Sequence, residues 1–262
     1  MSSRTTYALA WVYITGILAF LWLPLVPPLL FSLGSGPSPT WHWYAVLWQN
    51  PVLVRAIRTS ALLGALTGIT APCLALLGAM AVRELRASRA VLMLMLTPLF
   101  IPGISMGLGS AFLFHLLGVD PSVWTILAVH ILWSLPFALL IILTAMATFD
   151  PVYLEAAYVC GANRIRAFLD VELPLIRPGI AGAATFSLIL SLNETVRTGL
   201  VQGPLNTVQT YIWSTFLQVG LSPDHYALMS LLIVLTLILI FAFPALAGAR
   251  RGRSEVSPAT DA

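Results

Sequence analysis

The stretch Trp124-Thr-Ile-Leu-Ala-Val-His-Ile-Leu-Trp-Ser-Leu-Pro-Phe-Ala-Leu-Leu-Ile-Ile-Leu-Thr-Ala-Met-Ala-Thr-Phe149 contains no Asp, Glu, Lys or Arg. The hydrocarbon core of a bilayer is spanned by about 20 apolar residues in a helix, so this one run is long enough to cross. It does not alternate with the period of two that marks a barrel strand, and a helix satisfies every backbone hydrogen bond internally. The rest of the chain agrees. Of 262 residues, 59% are hydrophobic and 9% charged, with a mean hydropathy of +0.92. A soluble domain carries roughly 25% charged residues, so most of this chain faces lipid.

Five further apolar runs lie outward from it, at 7–33, 59–82, about 90–117, from about 178 onward, and 226–249. The first holds Pro24-Leu-Val-Pro-Pro28; it is too long for a signal peptide and no Ala-x-Ala site follows, so an uncleaved helix is expected. The sequence therefore predicts an all-α membrane protein of six transmembrane helices. Its expected parts are a first helix with an outer interfacial segment (1–58), a five-helix core (59–249) containing a polar loop at 150–177, and a polar tail (250–262).

The arginines orient these helices. With the N-terminus inside, the inner segments hold Arg4, Arg83, Arg86, Arg89, Arg164, Arg166, Arg177, Arg250, Arg251 and Arg253. The outer segments hold Arg55 and Arg58, with Arg197 near the outer end of the fifth helix. Both termini are thus expected in the cytoplasm. There is no lysine, so the Gly-Lys-Ser/Thr step of a Walker A loop is absent. The net charge of +3 is too small and too confined to loops to indicate nucleic-acid binding. Cys73 and Cys160 fit neither a metal spacing nor a disulfide framework.

The loop after the opening run reads Asp150-Pro-Val-Tyr-Leu-Glu155-Ala-Ala-Tyr-Val-Cys-Gly161-Ala-Asn-Arg-Ile-Arg-Ala-Phe-Leu-Asp-Val-Glu-Leu-Pro174. Asp150 before Pro151 starts a helix. Ala156 and Ala157 keep one face narrow, so a second protein could approach the backbone. Gly161 can end that helix and turn the chain. Leu173-Pro174 and Pro178-Gly179 are expected to break structure before the fifth helix. On the residues alone, a docking element and an amphipathic loop lying on the inner surface fit equally well.

This segment resembles the EAA motif of permease subunits of ATP-binding-cassette (ABC) importers. Glu155-Ala156-Ala157, Gly161, Val171 and Leu173-Pro174 stand at the family's spacing, with Val171 where isoleucine is commoner. The similarity extends to Pro98-Leu-Phe-Ile-Pro-Gly-Ile, to His130 and Leu135-Pro136-Phe137, to Ser191-Leu-Asn-Glu194, to Gly203-Pro204 and to Thr207-Val-Gln-Thr-Tyr-Ile-Trp213. It covers roughly 59–249 and is closest to the spermidine/putrescine group, whose relatives also serve thiamine, ferric iron and phosphonates.

The resemblance implies the type I importer permease (MetI-like) fold, in a bacterial inner membrane. It implies one half of a translocation pore for a small polar solute, polyamine-like first. The expected partners are a second permease chain, identical or different, two ATPase subunits, and an extracytoplasmic solute-binding protein. No cofactor or metal is expected on this chain, since ATP and Mg²⁺ belong to the ATPase, and no covalent chemistry either. Glu155, Ala156, Ala157, Gly161, Leu173 and Pro174 are then the ATPase-coupling residues.

A second candidate site lies up the fifth run. At about 1.5 Å per residue, Glu194 stands about 24 Å beyond Pro178, in the outer part of the bilayer. Ionisable residues at such depth usually face a bundle interior or a water-filled cavity, making Asn193, Glu194 and Arg197 candidates for the substrate pathway. The alternative is that Glu194 and Arg197, three apart, pair with each other. His115 and His130 read as hydrogen-bonded packing residues before proton relays. Gly103-x-x-x-Gly107, with Gly109 and Ser110, permits close helix packing, and Pro102, Pro136 and the prolines of the first helix are expected to kink their helices. Trp41, Trp43 and Trp48 suit interface anchors.

Two other classes compete. An intramembrane serine protease would use Ser110 and His130, but Ala111 stands where such a site wants glycine. A secondary transporter with broken helices and no ATPase would explain the prolines and buried charges, but not the EAA spacing.

Overall fold

The computed structural model describes residues 3–34, 40–85 and 88–248, and every regular element among them is helical. The tail at 250–262 and the loop arginine Arg86 lie outside the described residues. In chain order the helices are α1 (Ser3–Trp22), α2 (Val26–Phe31), α3 (His42–Leu47), α4 (Pro51–Glu84), α5 (Ser88–Leu96), α6 (Gly103–Leu116), α7 (Val123–Ala147) and α8 (Val152–Val159). Then follow α9 (Arg164–Arg166), α10 (Leu173–Leu192), α11 (Val196–Val201), α12 (Val208–Val219) and α13 (Pro223–Gly248). A 3₁₀ turn at Leu23–Leu25 joins α1 to α2 at Pro24, and a π-helical stretch, Ala167–Glu172, joins α9 to α10.

Two compact units emerge, Met1–Val54 with Ser214–Leu237, and Arg55–Trp213 with Ile238–Ala262. In the first, the Tyr44 hydroxyl on α3 donates to Ser32 Oγ (2.8 Å) and meets Ser230 Oγ on α13 (2.7 Å). Phe31 packs on Tyr226, ring centroids 5.5 Å apart. No side chain between 9 and 31 is buried, so α1 offers apolar surface on all sides. Such a helix is stable only against lipid or another chain.

In the second unit one core cluster is rich in alanine, and another consists of Leu63, Ile126, Leu127, Val129 and Val201. Ala75 and Ala79 of α4, Ala138, Leu139 and Ile142 of α7, and Ala183 of α10 form one fully buried cluster. Lipid supplies no hydrophobic drive between helices, so close backbone approach through small side chains does the packing.

Five continuous helical spans are long and apolar enough to cross a membrane, among the described residues. The run at 90–117, expected as one helix kinked at Pro102, is two: Ser88–Phe100 and Gly103–Leu116 meet at 105° beside that proline. The cause is local. Ile101 precedes Pro102, whose ring excludes the helical region for its neighbour, and Ile101 is extended (φ −89°, ψ 125°). Counted as one broken span, this bent pair brings the number to six.

The fifth run also differs from expectation. Leu173-Pro174 and Pro178-Gly179 do not break it, since helix is continuous over Arg164–Leu192 with Pro178 inside α10. A proline collides with the carbonyl four residues back, here that of Asp170 for Pro174. Asp170 lies in the wider π stretch, where Leu173 N–H already reaches back five residues to Phe168 O. The π turn relieves the clash and the helix continues.

Candidate functional site

The segment at 150–177 folds by strong local signals. Asp150 Oδ1 accepts from Val152 N–H (3.0 Å), satisfying an orphan donor at the start of α8. Glu155 stands in the first turn, where the helix dipole favours a carboxylate. The other end is a complete Schellman turn: Ala162 N–H donates to Ala157 O (3.0 Å) and Gly161 N–H to Tyr158 O (2.9 Å). That turn needs a left-handed residue, and Gly161 has φ +86° with open space where a Cβ would stand. Glycine is required there for conformation, not for room. Asn163 then caps the next helix, its Oδ1 accepting from Arg166 N–H (2.9 Å).

The six candidate coupling residues are thus spread over three elements. Glu155, Ala156 and the half-buried Ala157 lie on α8, Gly161 is the turn, and Leu173 and Pro174 open α10, both half-buried. Glu155 and Ala156 are exposed, beside Val152, Tyr153, Tyr158 and an 88% exposed Val159. An apolar helix face left bare in a polar loop is suited to a partner protein.

The second candidate site is a break in helix. Residues 193–195 separate α10 from α11, so Glu194 and Arg197 do not share one helix face as the sequence led us to expect. Glu194 instead accepts twice from Arg197: its Oε1 from the backbone N–H (2.9 Å) and its Oε2 from Nη1 (2.6 Å). Both residues are buried, at 6% and 7% exposure. The guanidinium lies 3.9 Å from the centroid of the Trp133 ring and donates through Nε to Met106 Sδ (3.3 Å). Gly103 and Gly107 make room for it: a Cβ on Gly103 would stand 3.2 Å from Arg197 Nη2, and one on Gly107 3.2 Å from Arg197 Cα. Gly109, by contrast, meets nothing within 4 Å. Asn193 is exposed, and its Oδ1 accepts from Gln209 Nε2 at 3.4 Å.

His130 ties the two sides of this break together. Its Nδ1 lies 2.7 Å from Ser191 Oγ on α10 and its Nε2 2.7 Å from Thr198 Oγ1 on α11. Thr198 already donates its one hydroxyl proton to Glu194 O (3.1 Å), so toward His130 it accepts. That assigns the proton to Nε2, leaving Nδ1 to accept from Ser191. His130 is a cross-link with both nitrogens occupied.

A model of the family described as "Binding-protein-dependent transport system inner membrane component" matches residues 64–250. The chain belongs to this family. It is a permease subunit of a binding-protein-dependent ABC importer and a multi-pass membrane protein. The permease is 28% identical over 238 residues to the spermidine/putrescine transport system permease protein PotC of Escherichia coli (strain K12), covering 88% of this chain and 90% of that one. It is 25% identical over 229 residues to the putrescine transport system permease protein PotI of the same strain, covering 82% of each. Its fold is also that of a chain in the crystal structure of a bacterial ABC transporter involved in the import of the acidic polysaccharide alginate (TM-score 0.70, 19% identity, 96% of each chain).

Two features of the permease's sites escaped the sequence reading. Asn163 as a helix cap was readable, because Asn after a helix-ending glycine is a capping signal. The partners of Glu172 were not, since they come from a helix almost ninety residues away.

Proposed function

We propose that this permease forms half of the translocation pore of an ATP-driven importer of a small polar solute, with α8 as the element that docks on a separate ATPase subunit. The observation that carries the reading is the bare apolar face of α8, held between an Asp150 start and the Gly161 turn within the EAA spacing. Closure of two ATPase subunits on ATP would displace α8 and switch the pore, because ATP binding would favour one of the two states. A second permease chain and an extracytoplasmic solute-binding protein complete the assembly, and both termini lie in the cytoplasm.

A polyamine is the first substrate class, on the strength of what the PotC and PotI names record for those proteins. Thiamine, ferric iron and phosphonates are the other solutes of this permease group. Exposed Asn193 and its partner Gln209 face the pathway in this reading. The Glu194–Arg197 pair stands behind them and holds the break open.

The test is mild solubilisation from the native host, affinity capture of the chain and mass spectrometry of what accompanies it. A stoichiometric ATPase subunit is expected, and vesicles holding that complex should take up putrescine or spermidine only with ATP. A clean chain without an ATPase overturns the reading in favour of a secondary transporter with broken helices.

A further inference from the structure

The end of α4 is joined to the segment after the docking helix by a network of four charges. Arg83 bonds Glu172, Arg164 pairs with Glu84, and Arg83 Nε lies 3.4 Å from Glu84 Oε1. Arg83 and Glu84 are consecutive residues at the tip of α4, yet they hold two points eight residues apart, roughly 12 Å at the usual helical rise. One such contact would leave a pivot. Two separated ones fix both the tilt and the rotation of the segment against α4.

Two further observations make this link mechanical. Beneath α8 lies a hollow of about 720 Å³ lined by Met80, Met146, Phe149, Leu154, Phe168 and neighbours, with the four charges at its edge. Side-chain packing is therefore thin between α8 and the membrane helices, and the charged contacts run beside that gap, joining α4 to α9 and to the π stretch. Glu172 is also the last residue of the π stretch and only 1% exposed. A π turn is a local minimum of helical regularity, able to shift register. A buried carboxylate there confers little net stability, but it does specify one register, because Glu172 has a partner only in that register.

We propose that the Arg83–Glu172 and Glu84–Arg164 pairs are a coupling strap: they transmit displacement of α8 into α4 and hold the π stretch in register while it moves. Arg83, Glu84, Arg164 and Glu172 are positioning residues in this proposal, acting through α8 and not as part of it. The inference rests on the docking role proposed for α8.

The experiment uses the whole importer, purified with its ATPase and reconstituted, reading putrescine uptake and ATP hydrolysis in the same vesicles. Glu172→Gln should assemble and hydrolyse ATP, while solute imported per ATP falls about tenfold. The charge swap Arg83→Glu with Glu172→Arg should restore the ratio. A residue that merely stabilised the fold would lower uptake and hydrolysis together and leave the ratio alone. Should Glu172→Gln fail to insert, Glu84→Gln at the solvent-facing end of the network carries the same expectation. An unchanged ratio in Glu172→Gln, or in Glu84→Gln where that stands in, overturns the strap, as does a swap that assembles without restoring it. A wild-type chain that captures no ATPase overturns the docking role and the strap together.

Discussion

At Arg197 a guanidinium with five N–H donors is enclosed by one carboxylate, one indole face and one thioether. Removing the carboxylate leaves the charge buried and uncompensated, which typically costs about 3–5 kcal/mol. The contact with Trp133 offsets about 2 kcal/mol of this. Glu194→Gln is therefore expected to lower the unfolding midpoint of the detergent-purified permease, and adding Arg197→Met should recover most of the loss. A Glu194→Gln variant as stable as wild type, with altered uptake, would mean that the carboxylate serves solute and not Arg197. The sequence placed this pair in the right part of the chain and offered the pairing as one reading. It could not show the break between the two residues, because Asn193-Glu194-Thr195 contains neither glycine nor proline. The Glu194 carboxylate accepts locally from the first turn of α11, and hydrogen bonds from His130 tie the two sides together.

Elements tell a different story, since most of their ends were written locally. Asp150-Pro151 and Gly161 delimit α8 as read, because a capping side chain and a left-handed glycine act within a few residues. A kink at Pro102 was expected but not its size, and a break at Pro174 was expected but is absent, for one shared reason. Proline's effect depends on what surrounds it: Pro102 has an extended Ile101 before it, whereas Pro174 follows a π turn that absorbs its clash. The Gly161 turn makes a graded prediction. A non-glycine residue in the left-handed region costs about 1–2 kcal/mol, least for asparagine and most when β-branched. ATP-driven uptake should fall in the order Gly161→Asn, Gly161→Ala, Gly161→Val, with the helices still inserted in each. Equal uptake in all three would remove the turn from the coupling mechanism.

For the whole molecule, the legible part was composition: few charges, no lysine, and arginines heavily biased to one side. These dictated helices in a membrane, and the family match over 64–250 agrees with the class; the direction of insertion remains the expectation to test. Long-range partners such as Arg83 with Glu172 were beyond reach, because nothing near either residue encodes the other. Orientation can be checked with the two cysteines. Cys160 is exposed at the end of α8, whereas Cys73 lies inside the α4 span. In a chain expressed without partners, a membrane-impermeant maleimide should label Cys160 in inside-out vesicles and not in intact cells. Labelling from the outside would reverse the assigned topology.

The closed pairing of Glu194 with Arg197 has an electrical meaning. A segment carrying both charges moves no net charge through the membrane field, whereas one free elementary charge would exchange about 2.3 kcal/mol per 100 mV. Any movement of the break therefore carries no gating charge from this pair.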